Sequence, residues 1–329
     1  MKSRIELTRM PPTATMPTAL PLSVSDVPVR NLVDLRQRCA DYLELTKPKI
    51  AAMALVTVAV GYWLGAALPF QWNGLLHTMI GAAVVAAGGS VLNHWLEREA
   101  DARMRRTANR PIVAGRVHPT EAVVFGVTLC LLGVLYLLYS LPNPAAAIAA
   151  AATCILYVAV YTPMKRLTAW NTVVGAIPGA LPPLIGWCGA TGGLAAQGWA
   201  LFAILFVWQL PHFFSIAFMH RDDYARGGMK MLPVVERADG YWTGQATLWT
   251  SVLLIGVTAL PFFLNAAGWV YLVGSLPVAV WFTLRCIRFS KNRTATTART
   301  VLRGSLVYLL AVMVLFVADG VIPRYAAVQ

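Results

Sequence analysis

Residues 121–141 read EAVVFGVTLCLLGVLYLLYSL, and the only charged side chain in that run is its first, Glu121. A helix rises about 1.5 Å per residue, so a run of this length spans the roughly 30 Å hydrocarbon core of a bilayer. Working outward, runs of the same kind lie near 51–70, 76–96, 145–163, 170–190, 198–219, 244–265, 268–285 and 301–321, which makes nine with the first. The 329-residue chain is 58% hydrophobic and 12% charged, whereas a soluble domain is about 45–50% apolar and about 25% charged. Those ratios exclude a soluble globular protein, a disordered chain and a disulfide scaffold. Inside lipid each backbone N–H and C=O must be satisfied within its own segment, and no strand pattern is present. The predicted fold is therefore all-α, a polytopic membrane bundle of nine transmembrane helices.

The net charge of +13 would suit a nucleic acid partner, but its distribution argues against one. The connections between spans 1 and 2, 3 and 4, 5 and 6, and 7 and 8 carry no Lys or Arg. The segment before span 1 carries eight, Lys2 to Lys49, and the loop after span 2 carries six, Arg98 to Arg116. The loops after spans 4, 6 and 8 hold most of the rest. By the positive-inside rule the N-terminus and these loops are cytoplasmic and the C-terminus lies outside. The five cysteines, Cys39, Cys130, Cys154, Cys188 and Cys286, show no CxxC and read as small hydrophobes. Residues 1–30 hold Pro11, Pro12, Pro17, Pro21 and Pro28 and read as a disordered tail. Residues 31–329 form a single membrane domain, opened at 31–46 by an amphipathic surface helix in which Leu32, Leu35, Cys39, Tyr42, Leu43 and Leu45 recur at roughly helical spacing.

Two of the cytoplasmic loops mix carboxylates with cations, where topology alone needs only cations. In the first, Asn93, Glu97 and Asp101 are spaced i, i+4, i+8 and share one face of a helix. Three oxygen donors in a column suit a hard divalent cation, and Mg²⁺ commonly binds through one or two carboxylates together with a substrate's phosphate oxygens. Arg105, Arg106 and Arg110 follow, and guanidinium groups match phosphate oxygens bidentately. The blander reading is a solvated helix end laced with ion pairs. Against it, Asn93 continues an apolar span and the stretch closes on Asn109-Arg110-Pro111.

The second stretch runs from Trp208-Gln209-Leu210-Pro211-His212-Phe213 to Asp222-Asp223-Tyr224 and Gly227-Gly228, then Lys230 and Leu232-Pro233-Val234-Val235. Pro211 is expected to kink its helix near His212. A histidine at membrane depth faces a cavity more often than lipid. It either ligates iron through a neutral imidazole or is a hydrogen-bonded interior residue, and the residues leave both open. Asp223 offers a carboxylate, Lys230 a point charge for phosphate, and Gly227-Gly228 would let the loop fold closely over a ligand. Two such clusters at the cytoplasmic ends of separate spans suggest one diphosphate site. That site would stand at the mouth of a central apolar cavity opening toward the cytoplasm.

At these residues the chain resembles the UbiA-type intramembrane prenyltransferases, and within them the branch that farnesylates heme. The resemblance runs from about Tyr42 to the end of span 9. It is carried by Leu45-Thr46-Lys47-Pro48, by Asn93 through Arg110-Pro111, and by Tyr161-Thr162-Pro163-Met164-Lys165-Arg166 with Thr168 and Asn171. Further matches are Gly175 through Pro183, Trp208 through Phe213, and Asp223-Tyr224 with Leu232-Pro233-Val234-Val235. It implies that farnesyl diphosphate alkylates a vinyl group of heme b, with water addition, giving heme O and diphosphate. It implies Mg²⁺ as cofactor, held with the diphosphate by Asn93, Glu97, Asp101 and Asp223. It also implies phosphate or heme propionate contacts from Arg105, Arg106, Arg110, Lys165, Arg166 and Lys230, and heme contact by His212. Implied partners are the bilayer and, downstream, a heme A synthase or an oxidase assembly factor.

Two departures stand out: Glu97 occupies a position where the family usually has Asp, and the superfamily's second motif usually opens with Asp where this chain has Phe213 and His220. His94 reads as an interfacial helix residue. The rival readings are a UbiA-type enzyme for a quinone-precursor aromatic, a transporter of an anionic amphiphile, and a non-catalytic oxidase assembly factor. Glu6, Asp26 and Asp34 suit a transit peptide poorly, so a bacterial inner membrane fits better than a mitochondrial one.

Overall fold

A computed structural model describes residues 30–326, with side chains between 35 and 320. The expected tail lies outside the described residues except for Arg30. Contacts divide the chain into Met1–Gln37 and Arg38–Gln329, and apart from the start of the first helix everything below concerns the second unit.

Helix α1 (Arg30–Leu45) precedes the crossings. These begin with α2 (Pro48–Gly65), α3 (Trp72–Asp101) and α4 (Pro119–Ser140). The fourth crossing is composite: α5 (Ala145–Ile155), a π-helical segment (Leu156–Tyr161) and α6 (Thr162–Leu167). The fifth is split into α7 (Asn171–Ala180) and α8 (Pro182–Thr191). Then come α9 (Ala196–Met219), the short α10 (Arg221–Arg226) and α11 (Leu232–Val235), and finally α12 (Tyr241–Phe263), α13 (Trp269–Lys291) and α14 (Ala295–Ala326). Among the described residues nine crossings are long and apolar enough to span a membrane.

The boundaries differ from the sequence reading where the chemistry lies. Helix α3 was expected to end near residue 96 but continues to Asp101. Asn93, Glu97 and Asp101 therefore share one helix, as their four-residue spacing implies. The fourth crossing likewise extends to Leu167, which puts Lys165 and Arg166 on helix. Charged ends persist as helix because the ion pairs described below satisfy their side chains. The fifth crossing breaks between Ala180 and Pro182, since Pro182 has no N–H to donate and crowds the residue before it. Pro211, by contrast, lies within a helix assigned without interruption from Ala196 to Met219.

Helix α3 lies along α4, α2 against α8, and α9 against α12 and α14. The α2–α8 crossing is the tightest. A Cβ on Gly186 would stand 1.9 Å from the Val58 carbonyl oxygen, and one on Gly61 would stand 2.1 Å from the Pro183 oxygen. Small residues at such crossings let backbones touch, which in lipid replaces the missing hydrophobic drive. We expect Gly186→Leu to abolish the monodisperse detergent-solubilised protein on size exclusion. Gly256→Ala, where an added Cβ meets nothing within 4 Å, should leave it intact or gain about 1 kcal/mol from helix propensity. A normal Gly186→Leu profile would show that the crossing is slack.

Helix α1 is tied to the loop after α3: Arg116 Nε donates to Asp41 Oδ1 at 2.8 Å and its Nη2 to Glu44 Oε2 at 3.3 Å. On the intended apolar stripe Leu45 is buried and Tyr42 packs edge-on against Phe125, while Cys39 and Leu43 are exposed.

Candidate active site

Asn93, Glu97 and Asp101 emerge along one face of α3, and all three are buried. Each meets a cation or a hydroxyl from another element. Asn93 Oδ1 accepts from Lys47 Nζ at 2.8 Å, and its Nδ2 donates to Thr162 Oγ1 at 3.1 Å. Glu97 Oε1 accepts from Lys165 Nζ at 2.5 Å. Asp101 Oδ2 accepts from Arg110 Nη1, and that same nitrogen lies 4.0 Å from Glu97 Oε2. Two carboxylates thus face three cationic side chains. The surplus positive charge, held away from bulk water, suits an anionic head group.

The supports of these side chains are backbone features. The π-helical segment widens the coil, and Thr162 Oγ1 donates to the Tyr157 carbonyl five residues back at 2.8 Å, which turns the same hydroxyl oxygen toward Asn93. Tyr161 presents its ring to Lys165 Nζ at 4.5 Å from the centroid, a cation–π contact. Lys47 has left-handed backbone (φ 50°, ψ 58°) immediately before Pro48, which directs the chain from α1 into α2. Burial, and then the charge of Arg110, push its ammonium down to about 7.

The second cluster reaches the first through the loops. Asp223 Oδ1 accepts the Arg105 backbone N–H at 3.2 Å and pairs with Arg226. Partial loss of water works against its ionisation, but the Arg226 and Arg105 hydrogen bonds hold the carboxyl below the usual carboxylate range. Ala100, Met104, Ala217, Met229 and Met231 bury one another between the two loops, with Tyr224 against them. Gly227 is where this contact is closest, since a Cβ there would meet Met104 at 3.1 Å, and Gly228 has φ +71°. The Lys230 backbone N–H donates to the Lys165 carbonyl at 2.7 Å, and its own carbonyl accepts from Asn171 Nδ2 at 3.0 Å.

The structure therefore brings Asn93, Glu97, Asp101, Arg110 and Lys165 together and ties Asp223 to the adjoining loop. The side chains of Arg105, Arg106 and Lys230 are exposed, and Arg166 pairs with Glu99 at 3.2 Å. His94, expected at the interface, is buried, and neither ring nitrogen has a hydrogen-bond partner among the described residues. Lys47 and Thr162 were missed as site residues. The signal for Lys47 was its place at the head of an apolar span, level with the oxygen column. His212, half-buried on α9, points Nδ1 at Ser305 Oγ.

Among the described residues no three His, Cys, Asp or Glu side chains gather into a metal cage. The donors that do gather are two carboxylates and an amide oxygen. Among the described residues Asp101 Oδ1 is buried and has no hydrogen-bond partner, so a hard oxygen is left over in the site. That fits Mg²⁺ completed by substrate oxygens.

The model of the UbiA prenyltransferase family matches residues 54–317. The chain belongs to that family. Among UbiA relatives it is 43% identical over 288 residues to the protoheme IX farnesyltransferase of Solibacter usitatus (strain Ellin6076), covering 85% of this chain and 98% of that protein. To the protoheme IX farnesyltransferase of Salinibacter ruber (strain DSM 13855 / M31) it is 46% identical over 279 residues, again 85% and 98%. In fold it is similar to a digeranylgeranylglyceryl phosphate synthase structure (TM-score 0.72, 19% identity, 86% of this chain and 99% of that one). It is also similar to a UbiA homologue from Archaeoglobus fulgidus bound to GPP and Mg²⁺ (TM-score 0.61, 17% identity, 84% and 99%). The nine crossings among the described residues and the likeness to UbiA structures agree with the all-helical membrane bundle expected from the sequence.

Proposed function

We propose that this membrane enzyme transfers the farnesyl group of farnesyl diphosphate to a vinyl group of heme b, giving heme O and diphosphate. The reading rests on the similarity to protoheme IX farnesyltransferases across 85% of the chain. The single structural observation that carries it is the α3 oxygen face set against Lys47, Arg110 and Lys165. Residues 31–329 act as one domain, in a bacterial cytoplasmic membrane with the N-terminus inside.

Asn93, Glu97 and Asp101, with Asp223 from the neighbouring loop, would hold Mg²⁺. The ion supplies Lewis-acid neutralisation of the leaving diphosphate. Lys165, Arg110 and Lys47 bind the diphosphate oxygens and fix the head group's orientation, and they are already in place before charge develops. Tyr157 and Tyr161 hold their rings 5.7 Å apart, and Tyr161 faces Lys165; such aromatic faces stabilise an allylic carbon that gains positive character as its C–O bond breaks. The vinyl π-bond forms the new C–C bond, water captures the resulting cation beside the porphyrin, and the proton from that water leaves to solvent. Apolar helix walls keep other water away from the allylic centre. No protein nucleophile is required.

The test is purified protein given heme b and farnesyl diphosphate, with heme O measured by chromatography and mass. We expect product with Mg²⁺, a fall of at least about 100-fold on chelation, and recovery when Mg²⁺ is restored. Prenylation of a hydroxybenzoate acceptor with no heme O formed would overturn the choice of acceptor.

A further inference from the structure

The surroundings of His212 account for the position of its proton. Its Nδ1 lies 2.8 Å from Ser305 Oγ. The same hydroxyl lies 2.7 Å from the Leu302 carbonyl oxygen one turn back on α14. A carbonyl only accepts; with the serine proton directed to it, the contact with His212 calls for Nδ1 to carry a proton and donate. In a neutral imidazole Nε2 then holds the lone pair. Among the described residues Nε2 has no hydrogen-bond partner.

A third residue closes the arrangement. The Trp208 indole N–H donates to the Ser305 backbone carbonyl at 2.7 Å, and its ring stacks on the His212 ring with centroids 5.0 Å apart at 28°. Trp208 and His212 stand one turn apart on α9, so α9 supplies two corners of a triangle and α14 the third. Ser305 is fully buried and Trp208 nearly so, which holds the imidazole in one rotamer between a flat wall and a single acceptor. Histidines that bind metal through one nitrogen are held in this way at the other.

We propose that Ser305 is a positioning residue for the heme substrate. Its hydroxyl oxygen fixes His212 as the Nδ1–H tautomer, so that Nε2 is presented as a lone-pair donor to the heme iron. Trp208 fixes the plane of the ring. The proposal rests on the reading of His212 as a heme contact. With the opposite tautomer Nε2–H would be a donor, suited to a propionate oxygen and not to iron.

The test uses full-length protein in detergent without farnesyl diphosphate, so that no turnover is involved. In the heme-free state, ¹⁵N-histidine spectra, with the His212 signal identified by its loss in His212→Ala, should show Nδ1 protonated and Nε2 bare. A protonated Nε2 overturns the proposal. Added ferric heme b should show an imidazole-ligated optical and spin-resonance signature. Ser305→Ala should weaken heme affinity by about 10-fold or more, while farnesyl diphosphate binding and the thermal midpoint stay near those of the parent protein. Unchanged heme affinity in Ser305→Ala overturns the role of Ser305. An unchanged heme spectrum in His212→Ala instead overturns the underlying reading of His212, so the two failures are distinguishable.

Discussion

Asp101→Asn should lower heme O formation by more than about 100-fold while the protein still accumulates in the membrane. The substitution is nearly isosteric and keeps an oxygen that can accept from Arg110, so the loop after α3 retains its anchor. It removes one of the two buried negative charges and weakens the hard oxygen that has no other partner. Mg²⁺ is held chiefly by one or two carboxylates, so a neutral amide here leaves the ion with one charged donor fewer. The stability cost should stay well below the roughly 3–5 kcal/mol of a buried pair stripped of one partner, because the Arg110 hydrogen bond survives. Turnover and the thermal midpoint, read on one preparation, separate these effects. Parent-level turnover in Asp101→Asn would remove the α3 face from the chemistry.

Lys165→Met carries the second large effect, and its rescue pattern is the informative part. Lys165 bonds Glu97 at 2.5 Å, and both side chains are buried, at 13% and 8% exposure. Removing the ammonium takes the nearest cation from the buried Glu97 carboxylate, with Arg110 4.0 Å away, so stability should fall by about 3 kcal/mol. Adding Glu97→Gln should restore most of that stability, since the uncompensated charge is gone, and the double-mutant cycle measures the coupling. Activity should not return, because the double variant lacks both the diphosphate cation and a metal donor. Recovery of both stability and turnover in Lys165→Met/Glu97→Gln would mark the pair as structural only.

The nine crossings were legible because length without charge is a one-dimensional property. The Asn93-Glu97-Asp101 face was legible because a helix converts four-residue spacing into a column. The inward turn of Lys47 was not, since it depends on a left-handed backbone conformation that the Thr46-Lys47-Pro48 string does not announce. Arg105, Arg106 and Lys230 show the converse. Their side chains are exposed, and the contacts Arg105 and Lys230 make with neighbouring elements are main-chain hydrogen bonds. Ser305 left no sequence signal: it is a small residue in an apolar run, and its partner lies 93 positions away. The break before Pro182 could have been read from the Pro182-Pro183 pair, whereas Pro211 stands inside a continuous helix.

The wide coil at Leu156–Tyr161 acts as a spacer whose length matters more than its letters. A π-turn closes five residues on where an α-turn closes four, so everything after it is clocked by about 100° relative to a regular helix. Losing one residue there would let the coil tighten to a regular α-turn with Lys165 on nearly its present bearing, whereas one added residue would swing Lys165 about 100° off the carboxylate it meets. Apolar exchanges that keep the count would leave its bearing unchanged. This stretch should therefore tolerate altered chemistry far better than an inserted residue.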